Sequence, residues 1–130
     1  MAETATDKPI KKGNGKKILI VEDEHPLAHA LELKFGHEGY DVTIATNGAD
    51  GLKLANSVGF AIILLDLIMP QMDGFTFMEQ LKKKTPVIIL SNLGQDEDRE
   101  RAKKLGAVEY FVKSNTPITD IIKKVKSVIK

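Results

Sequence analysis

Carboxylates directly follow two of the most apolar segments of this chain. Glu22 and Asp23 come after the segment KILIV, and Asp66 is the only charged residue between positions 60 and 70. Such apolar segments are typical of strands buried on both faces of a parallel sheet, whose carboxyl ends meet at one edge. Three carboxylates at that edge would repel each other unless a cation compensates them. All the candidate ligands are oxygen atoms, which favours a hard ion such as Mg²⁺ over zinc or copper.

Two further polar residues stand at the ends of later apolar segments. Ser91 follows PVIIL, and Lys113 follows EYFV. Because Mg²⁺ commonly binds phosphate oxygens together with one or two carboxylates, this combination indicates phosphoryl chemistry. An aspartate can form an aspartyl phosphate, whose charge a hydroxyl and an ammonium group can stabilise. Taken singly, each residue also has an ordinary explanation: Asp66 as a strand-end carboxylate in water, Ser91 as the start of a turn, and Lys113 as a solubilising charge.

The hydropathy pattern predicts a framework that brings these strand ends together. Short apolar segments alternate with amphipathic ones, which predicts five βα units, a parallel sheet covered by helices, and right-handed crossovers. The predicted strands cover residues 17–21, 41–45, 60–65, 86–90 and 109–112. The predicted helices cover residues 26–38, 48–57, 74–84, 96–105 and 116–129. The fourth helix offers only Ala102 and Leu105 to a core, so we expect it to be loosely held.

Length and composition exclude several classes of protein. A chain of 130 residues is about one domain. Lys and Arg number 19 against 18 Asp and Glu, so the net charge of +1 gives no electrostatic reason to expect a nucleic-acid or membrane partner. The absence of Cys excludes disulfides, thiolate nucleophiles and iron–sulfur clusters. Without a signal peptide or a long apolar segment, the chain is predicted to be cytoplasmic.

Residues 1–16 differ in character from the remainder. They combine scattered lysines with Pro9, Gly13 and Gly15 and contain only isolated apolar residues. This pattern predicts a disordered basic tail, followed by one folded domain over residues 17–130.

Three segments carry a resemblance to a known family. They are ILIVEDE at 18–24, LLDLIMPQMDG at 64–74 and YFVKS at 110–114. With Ser91, they make residues 17–130 similar to the receiver domain of bacterial two-component response regulators. The resemblance implies a flavodoxin-like (βα)5 three-layer α/β sandwich with a five-stranded parallel sheet of order 2-1-3-4-5. It also implies a phosphoacceptor signalling protein that catalyses only its own phosphorylation and dephosphorylation.

The resemblance assigns the metal and phosphate sites to particular residues. Asp66 would be the phosphoacceptor, with a sensor histidine kinase or histidine phosphotransfer protein as phosphodonor. Mg²⁺ would be bound by Asp23, Asp66 and the backbone carbonyl of Ile68, with Glu22 holding a metal-bound water.

Three other positions correspond to groups that respond to phosphorylation. Ser91 and Lys113 would contact the phosphoryl group, and Tyr110 would be the aromatic switch residue that turns inward as Ser91 shifts. The expected result is movement of the helix at 96–105, with a downstream target protein binding the face formed by residues 96–130.

Two positions depart from the family pattern. The family usually has Pro directly after the lysine, often preceded by a cis peptide bond, and here the residue is Ser114. A cis bond before a non-proline residue costs about 2.5–4 kcal/mol, so we expect a trans bond. The residue after the switch Ser or Thr is usually small, and here it is Asn92. Asn92 would narrow access to the phosphoryl group or hydrogen-bond to it, which affects the kinetics of phosphorylation rather than the reaction itself.

Other interpretations remain on the sequence alone. The principal alternative is a pseudo-receiver, a scaffold of the same fold that signals without phosphorylation. A flavodoxin-like electron carrier is disfavoured by the acidic residues after the first strand, and a haloacid-dehalogenase-type phosphatase would need a second Asp where Ile68 stands. His25 and His29 lie four apart, as metal ligands can, but no third ligand is evident. Because the domain uses nearly the whole length, we expect a stand-alone receiver that signals through protein–protein contact.

Overall fold

The structure is a computed structural model that describes residues 14–129. Residues 1–13 of the predicted tail lie outside the described residues. The last residues of that segment contact the domain: the Gly15 N–H donates to the Gly39 carbonyl at 2.8 Å. The Lys16 ammonium donates to the carbonyl of Ile129 at 2.5 Å, which joins the two ends of the described chain.

Five parallel strands form a single sheet of order β2-β1-β3-β4-β5, as the resemblance implies. The strands are β1 (Lys17–Val21), β2 (Asp41–Ala45), β3 (Ile62–Leu65), β4 (Val87–Ser91) and β5 (Ala107–Val112). All residues of β3 and β4 are buried, because helices cover both faces of the central strands. The sequence prediction began β3 two residues too early and β5 two residues too late.

Five helices connect and flank the strands. They are α1 (His25–His37), α2 (Gly48–Ser57), α3 (Gly74–Gln80), α4 (Asp96–Lys104) and α5 (Ile118–Val128). Pro26 lies in the first turn of α1, and Asp73 caps α3 by accepting a hydrogen bond from the Thr76 N–H at 2.9 Å. The helix α5 begins after Pro117, two residues later than predicted.

The predicted end of α3 was wrong by four residues, and a side chain from α2 explains why. Asn56 accepts a hydrogen bond from the Lys82 N–H at 2.8 Å, and its own amide donates to the Gln80 carbonyl at 3.4 Å. These bonds pair with the backbone where α3 ends, and Leu81 is already extended. A contact between residues far apart in sequence therefore ends the helix.

The sheet separates two apolar cores and gives the three predicted layers. One core lies between the sheet and helices α1 and α5, with Phe35 and Ile121 among its buried residues. The other lies between the sheet and helices α2, α3 and α4, where Phe77 is fully buried. The α/β three-layer prediction is confirmed.

Helix α4 buries little apolar surface, as its sequence predicted. Ala102 is its only buried residue. Two arginines add contacts that the sequence did not indicate: the guanidinium carbon of Arg99 lies 5.0 Å from the ring centre of Tyr110, and that of Arg101 lies 4.1 Å from the ring centre of Phe75. Such cation–π contacts contribute about 0.5–1 kcal/mol each where exposed. Helix α4 is thus held by a small apolar contact at Ala102 together with two charged side chains that lie over aromatic rings.

Helix α2 begins in close contact with the segment that follows β3. A Cβ built on Gly48 would lie 2.1 Å from the carbonyl oxygen of Met72, a distance that no side chain can occupy without moving the backbone. A Cβ on Gly74 would lie 2.7 Å from the carbonyl oxygen of Asp66. Glycine at these positions lets α2 and α3 approach the segment 66–74.

Two glycine-to-alanine substitutions within helices are expected to have opposite effects on stability. In Gly36→Ala the new methyl group meets open space, so better helix propensity should stabilise the protein by about 0.5–1 kcal/mol. In Gly48→Ala the clash with Met72 should destabilise it by about 1–3 kcal/mol. Urea unfolding followed by circular dichroism measures both. Equal effects of the two substitutions would contradict the close approach of α2.

Candidate functional site

The sheet topology brings the carboxylates of the site together. Strands β1 and β3 are neighbours, and Val21 pairs with Leu65 at their carboxyl ends. Glu22, Asp23 and Asp66 follow directly, so they emerge at the same edge of the sheet. Periodicity predicted the strand ends, but only the strand order makes these two ends adjacent.

The three acidic residues form one cluster. Each offers a carboxylate oxygen, and these oxygens lie within 4.8 Å of one another. Glu22 is 2% exposed and Asp66 is 5% exposed, whereas Asp23 faces solvent. An all-oxygen ligand set with one solvent-facing member fits Mg²⁺, which keeps several of its waters when it binds protein.

Lys113 places an ammonium group inside the cluster. Its Nζ lies 2.9 Å from Oδ2 of Asp66 and 2.9 Å from both oxygens of Glu22. Glu24 is a more distant partner at 3.6 Å. Lys113 comes from the end of β5, so it reaches across β4 and β3 to the carboxylates. One ammonium among three carboxylates leaves the cluster negative, which again suits a divalent cation.

Burial and charge together shift two pKa values in the cluster. Burial raises the pKa of Glu22 above 4.5, and the charge of Asp66 adds to this, although the hydrogen bond from Lys113 opposes it. For Lys113 burial alone would lower the pKa, but the hydrogen bonds and charges of Asp66 and Glu22 outweigh burial, and its pKa is raised above 10.5. Lys113 therefore stays protonated at neutral pH.

A backbone contact orients the second oxygen of Asp66. The Ile68 N–H donates to Oδ1 of Asp66 at 3.1 Å, so the two oxygens of this carboxylate have different partners. The Ile68 side chain itself is 56% exposed. The Ile68 carbonyl as a metal ligand stays a prediction.

Ser91 and Tyr110 meet at the backbone of Leu93. Ser91 is the last residue of β4 and is fully buried, and its Oγ accepts a hydrogen bond from the Leu93 N–H at 3.4 Å. The hydroxyl of Tyr110 donates to the Leu93 carbonyl. The Tyr110 ring is already buried in this structure, and burial, helped by the charge of Asp98, raises its pKa above 10. The family resemblance tied the movements of the two residues together, but their shared contact with the Leu93 backbone was not predicted.

The two departures from the family pattern are in contact with each other. The described residues contain no cis peptide bond, so the bond before Ser114 is trans, as expected. Lys113–Asn115 form a 3-10 turn after β5. The side-chain oxygen of Asn92 accepts a hydrogen bond from the Ser114 N–H at 3.1 Å. This contact was not predicted, although both residues lie just beyond the ends of adjacent strands, which indicates that they could meet.

His25 and His29, both on α1, lie outside the acidic cluster. His29 Nδ1 lies 3.5 Å from a carboxylate oxygen of Glu32 on the same helix. Within residues 14–129, the one group of three or more possible metal ligands is the cluster of Glu22, Asp23 and Asp66. Over the same residues, no helix is long and apolar enough to cross a membrane.

Comparisons with known proteins agree with this geometry. A family model described as the response regulator receiver domain matches residues 18–126. The chain is 36% identical over 116 residues to the response regulator ArlR of Staphylococcus saprophyticus, covering 88% of this chain and 52% of that protein. It is 34% identical over 116 residues to YkoG of Bacillus subtilis, described as an uncharacterized transcriptional regulatory protein, covering 87% of this chain and 50% of that protein. The chain thus spans about half the length of the curated relatives it matches, and the stand-alone organisation stays a prediction.

Solved structures show the same relationship. The receiver domain of the Francisella response regulator 1452 has a TM-score of 0.82 and 32% identity, covering 88% of this chain and 97% of that chain. A CheY-like receiver domain protein from Methanospirillum hungatei JF-1 has a TM-score of 0.82 and 26% identity, covering 88% of this chain and 94% of that chain. Sequence match, fold and strand-end cluster agree, and the chain belongs to the response regulator receiver domain family.

Proposed function

We propose that this receiver domain accepts a phosphoryl group on Asp66 in a Mg²⁺-dependent reaction and signals through altered protein contacts. The phosphodonor would be a sensor histidine kinase or a histidine phosphotransfer protein. The observation that carries the proposal is the position of Asp66, a nearly buried carboxylate 2.9 Å from the ammonium of Lys113 and grouped with Glu22 and Asp23. A structural ion pair needs only one carboxylate and one ammonium group. Here the buried carboxylate also belongs to a group of acidic side chains of the kind that binds a metal ion.

The transfer itself needs little acid–base chemistry. A carboxylate oxygen of Asp66 attacks phosphorus, the P–N bond to the donor imidazole breaks, and the electron pair stays on the imidazole, which takes up a proton. The Ile68 N–H and the Lys113 ammonium fix the orientation of the Asp66 carboxylate beforehand. Positioning and charge stabilisation supply most of the catalysis in such transfers.

The donor set fits Mg²⁺, with Asp23, Asp66 and the Ile68 carbonyl as ligands and Glu22 acting through a water. A bound Mg²⁺ ion would neutralise the negative charge that develops on the phosphoryl oxygens. Lys113 contributes a second positive charge, since its raised pKa keeps it protonated. In the unphosphorylated protein it bridges Glu22 and Asp66, and a phosphoryl group on Asp66 gives it new negative oxygens to bind.

The signal would pass from Ser91 to helix α4. Ser91 and Tyr110 share the backbone of Leu93, and the segment after Leu93 leads into α4. Arg99 of α4 lies over the Tyr110 ring at 5.0 Å. A shift of Ser91 toward the phosphoryl group would therefore disturb both the loop and one of the few contacts that hold α4. The target-binding surface would be the 96–130 face, made by α4, β5 and α5.

A pseudo-receiver that signals without phosphorylation is the second candidate, and the labelling experiment below separates the two. The expectations of a cytoplasmic location and of no nucleic-acid or membrane partner stay predictions.

Phosphorylation is tested with a small phosphodonor. Incubation with Mg²⁺ and acetyl phosphate should add the mass of one phosphoryl group to the intact protein, because Asp66 lies at the carboxyl edge of the sheet and its carboxylate is oriented by Lys113. Asp66→Asn should abolish the added mass. Asp73→Asn is the matched control, since asparagine is also a good helix cap, and it should be labelled like the wild type. An unlabelled wild type would favour the pseudo-receiver, and full labelling of Asp66→Asn would show that another residue carries the phosphoryl group.

Metal binding is tested through stability. A ligand that binds only the folded state stabilises it by about 2.7 kcal/mol when its concentration is one hundred times Kd. The melting temperature should therefore rise with Mg²⁺ concentration and fall back when EDTA is added. Asp23→Asn should remove most of this dependence, whereas Asp41→Asn, at the opposite end of the sheet, should retain it. Full Mg²⁺ stabilisation of Asp23→Asn would show that the ion binds elsewhere.

A further inference from the structure

The contact between Asn92 and Ser114 lies where strands β4 and β5 end. The last paired residues of the two strands are Ser91 and Val112. Beyond them the backbones take different paths, since Lys113–Asn115 enter a 3-10 turn. The Asn92 side-chain oxygen nevertheless accepts from the Ser114 N–H at 3.1 Å. A side chain thus continues the interstrand hydrogen bonding past the point where the backbone ladder stops.

The contact requires both of the residues that depart from the family pattern. Proline at position 114 would have no N–H to donate, and alanine at position 92 would have no side-chain acceptor. Neither Asn92 nor Ser114 has a side chain within the acidic cluster, and both are exposed. The bond between them reaches the site through the backbone of their neighbours.

Those neighbours are the two groups proposed to hold the phosphoryl oxygens. Ser91 directly precedes Asn92, and Lys113 directly precedes Ser114. The hydrogen bond ties the two backbones together just beyond the last pair of the ladder, Ser91 and Val112. It therefore links the residue after Ser91 to the residue after Lys113.

We propose that Asn92 is a positioning residue: through the Asn92–Ser114 bond it couples Ser91 to Lys113, so that both reach a phosphoryl group on Asp66 together. The proposal rests on the proposed function. The loop after β4 has a second tie to β5, from the Tyr110 hydroxyl to the Leu93 carbonyl. That tie can break by rotation of the Tyr110 side chain, whereas the Asn92 tie is made to the backbone of the turn that carries Lys113.

Coupled positioning has a specific kinetic consequence. Phosphorylation of Asp66 and hydrolysis of the product both place negative charge on the same phosphoryl oxygens in the transition state. Loosening Ser91 and Lys113 should therefore slow both reactions. If Asn92 acted instead as a cover over the phosphoryl group, its truncation would admit water and speed hydrolysis. Truncation of Asn92 should therefore slow hydrolysis if the residue positions Ser91 and Lys113, and speed hydrolysis if it covers the phosphoryl group.

The first measurement tests the bond without any phosphorylation. The Ser114 amide is exposed but hydrogen-bonded, so its exchange with solvent should be slowed in the wild-type protein, as followed by NMR. Asn92→Ala and Asn92→Leu both remove the acceptor, and leucine keeps the bulk of asparagine. The Ser114 amide should exchange several-fold faster in both variants. Asn115→Ala, the same kind of substitution in the same turn, should leave it protected.

The second measurement follows the chemistry with acetyl phosphate and Mg²⁺. Asn92→Ala and Asn92→Leu should each slow both labelling and loss of the phosphoryl group by about two- to twelvefold, the factor that corresponds to the net contribution of one hydrogen bond. Asn115→Ala should match the wild type. Because leucine conserves bulk, agreement between the two Asn92 variants assigns the effect to the hydrogen bond.

Three results would overturn the proposal: an unchanged Ser114 amide, faster hydrolysis in Asn92→Ala alone, or unchanged rates in both Asn92 variants. Failure of the proposed function is distinguishable from these, because then the wild-type protein itself would take up no phosphoryl group. The amide exchange would still decide whether the Asn92–Ser114 bond exists.

Discussion

The ammonium group of Lys113 lies 2.9 Å from carboxylates that follow two different strands, and the arrangement of the sheet is what makes this contact available. Burying Glu22 and Asp66 together would be strongly unfavourable without a nearby positive charge. The order 2-1-3-4-5 places the ends of β1 and β3 side by side and leaves β5 close enough for Lys113 to reach them. The three side chains are thus held together at one edge of the sheet.

Much of this could be predicted from the sequence, because buried parallel strands leave a clear apolar signature. The segments KILIV and PVIIL, with the polar residues after them, indicated which strand ends bear the side chains of the candidate site. The strand order could not be predicted in this way, because the periodicity was compatible with several orders. The adjacency of Asp23 and Asp66 was predicted only from the family resemblance. Local patterns report which residues are buried, not which strands are neighbours.

The end of α3, the Asn92–Ser114 bond and the attachment of α4 were missed for one physical reason, since each depends on a contact between residues distant in sequence. Helix α3 ends early because Asn56 of α2 pairs with its last turn. The bond from Ser114 to Asn92 spans 22 positions. The arginine contacts of α4 involve rings on β5 and α3. The charged sequence of α4 predicts a solvated surface helix. The contacts of its Arg99 and Arg101 with aromatic rings are evident only in the folded chain.

The hydrogen bond from Lys16 to the Ile129 carbonyl shows that the first strand and the last helix meet at one place on the surface. Chains whose ends lie close together tolerate circular permutation, in which a short linker joins the old ends and new ends are opened in an exposed loop. The exposed lysines after α3, at positions 82–84, offer such an opening. The permuted chain would begin with β4 and α4 and finish with α3. During translation of the permuted chain, Ser91 and Lys113 would be made before the carboxylates they face. In the natural order of the chain the carboxylates are made first.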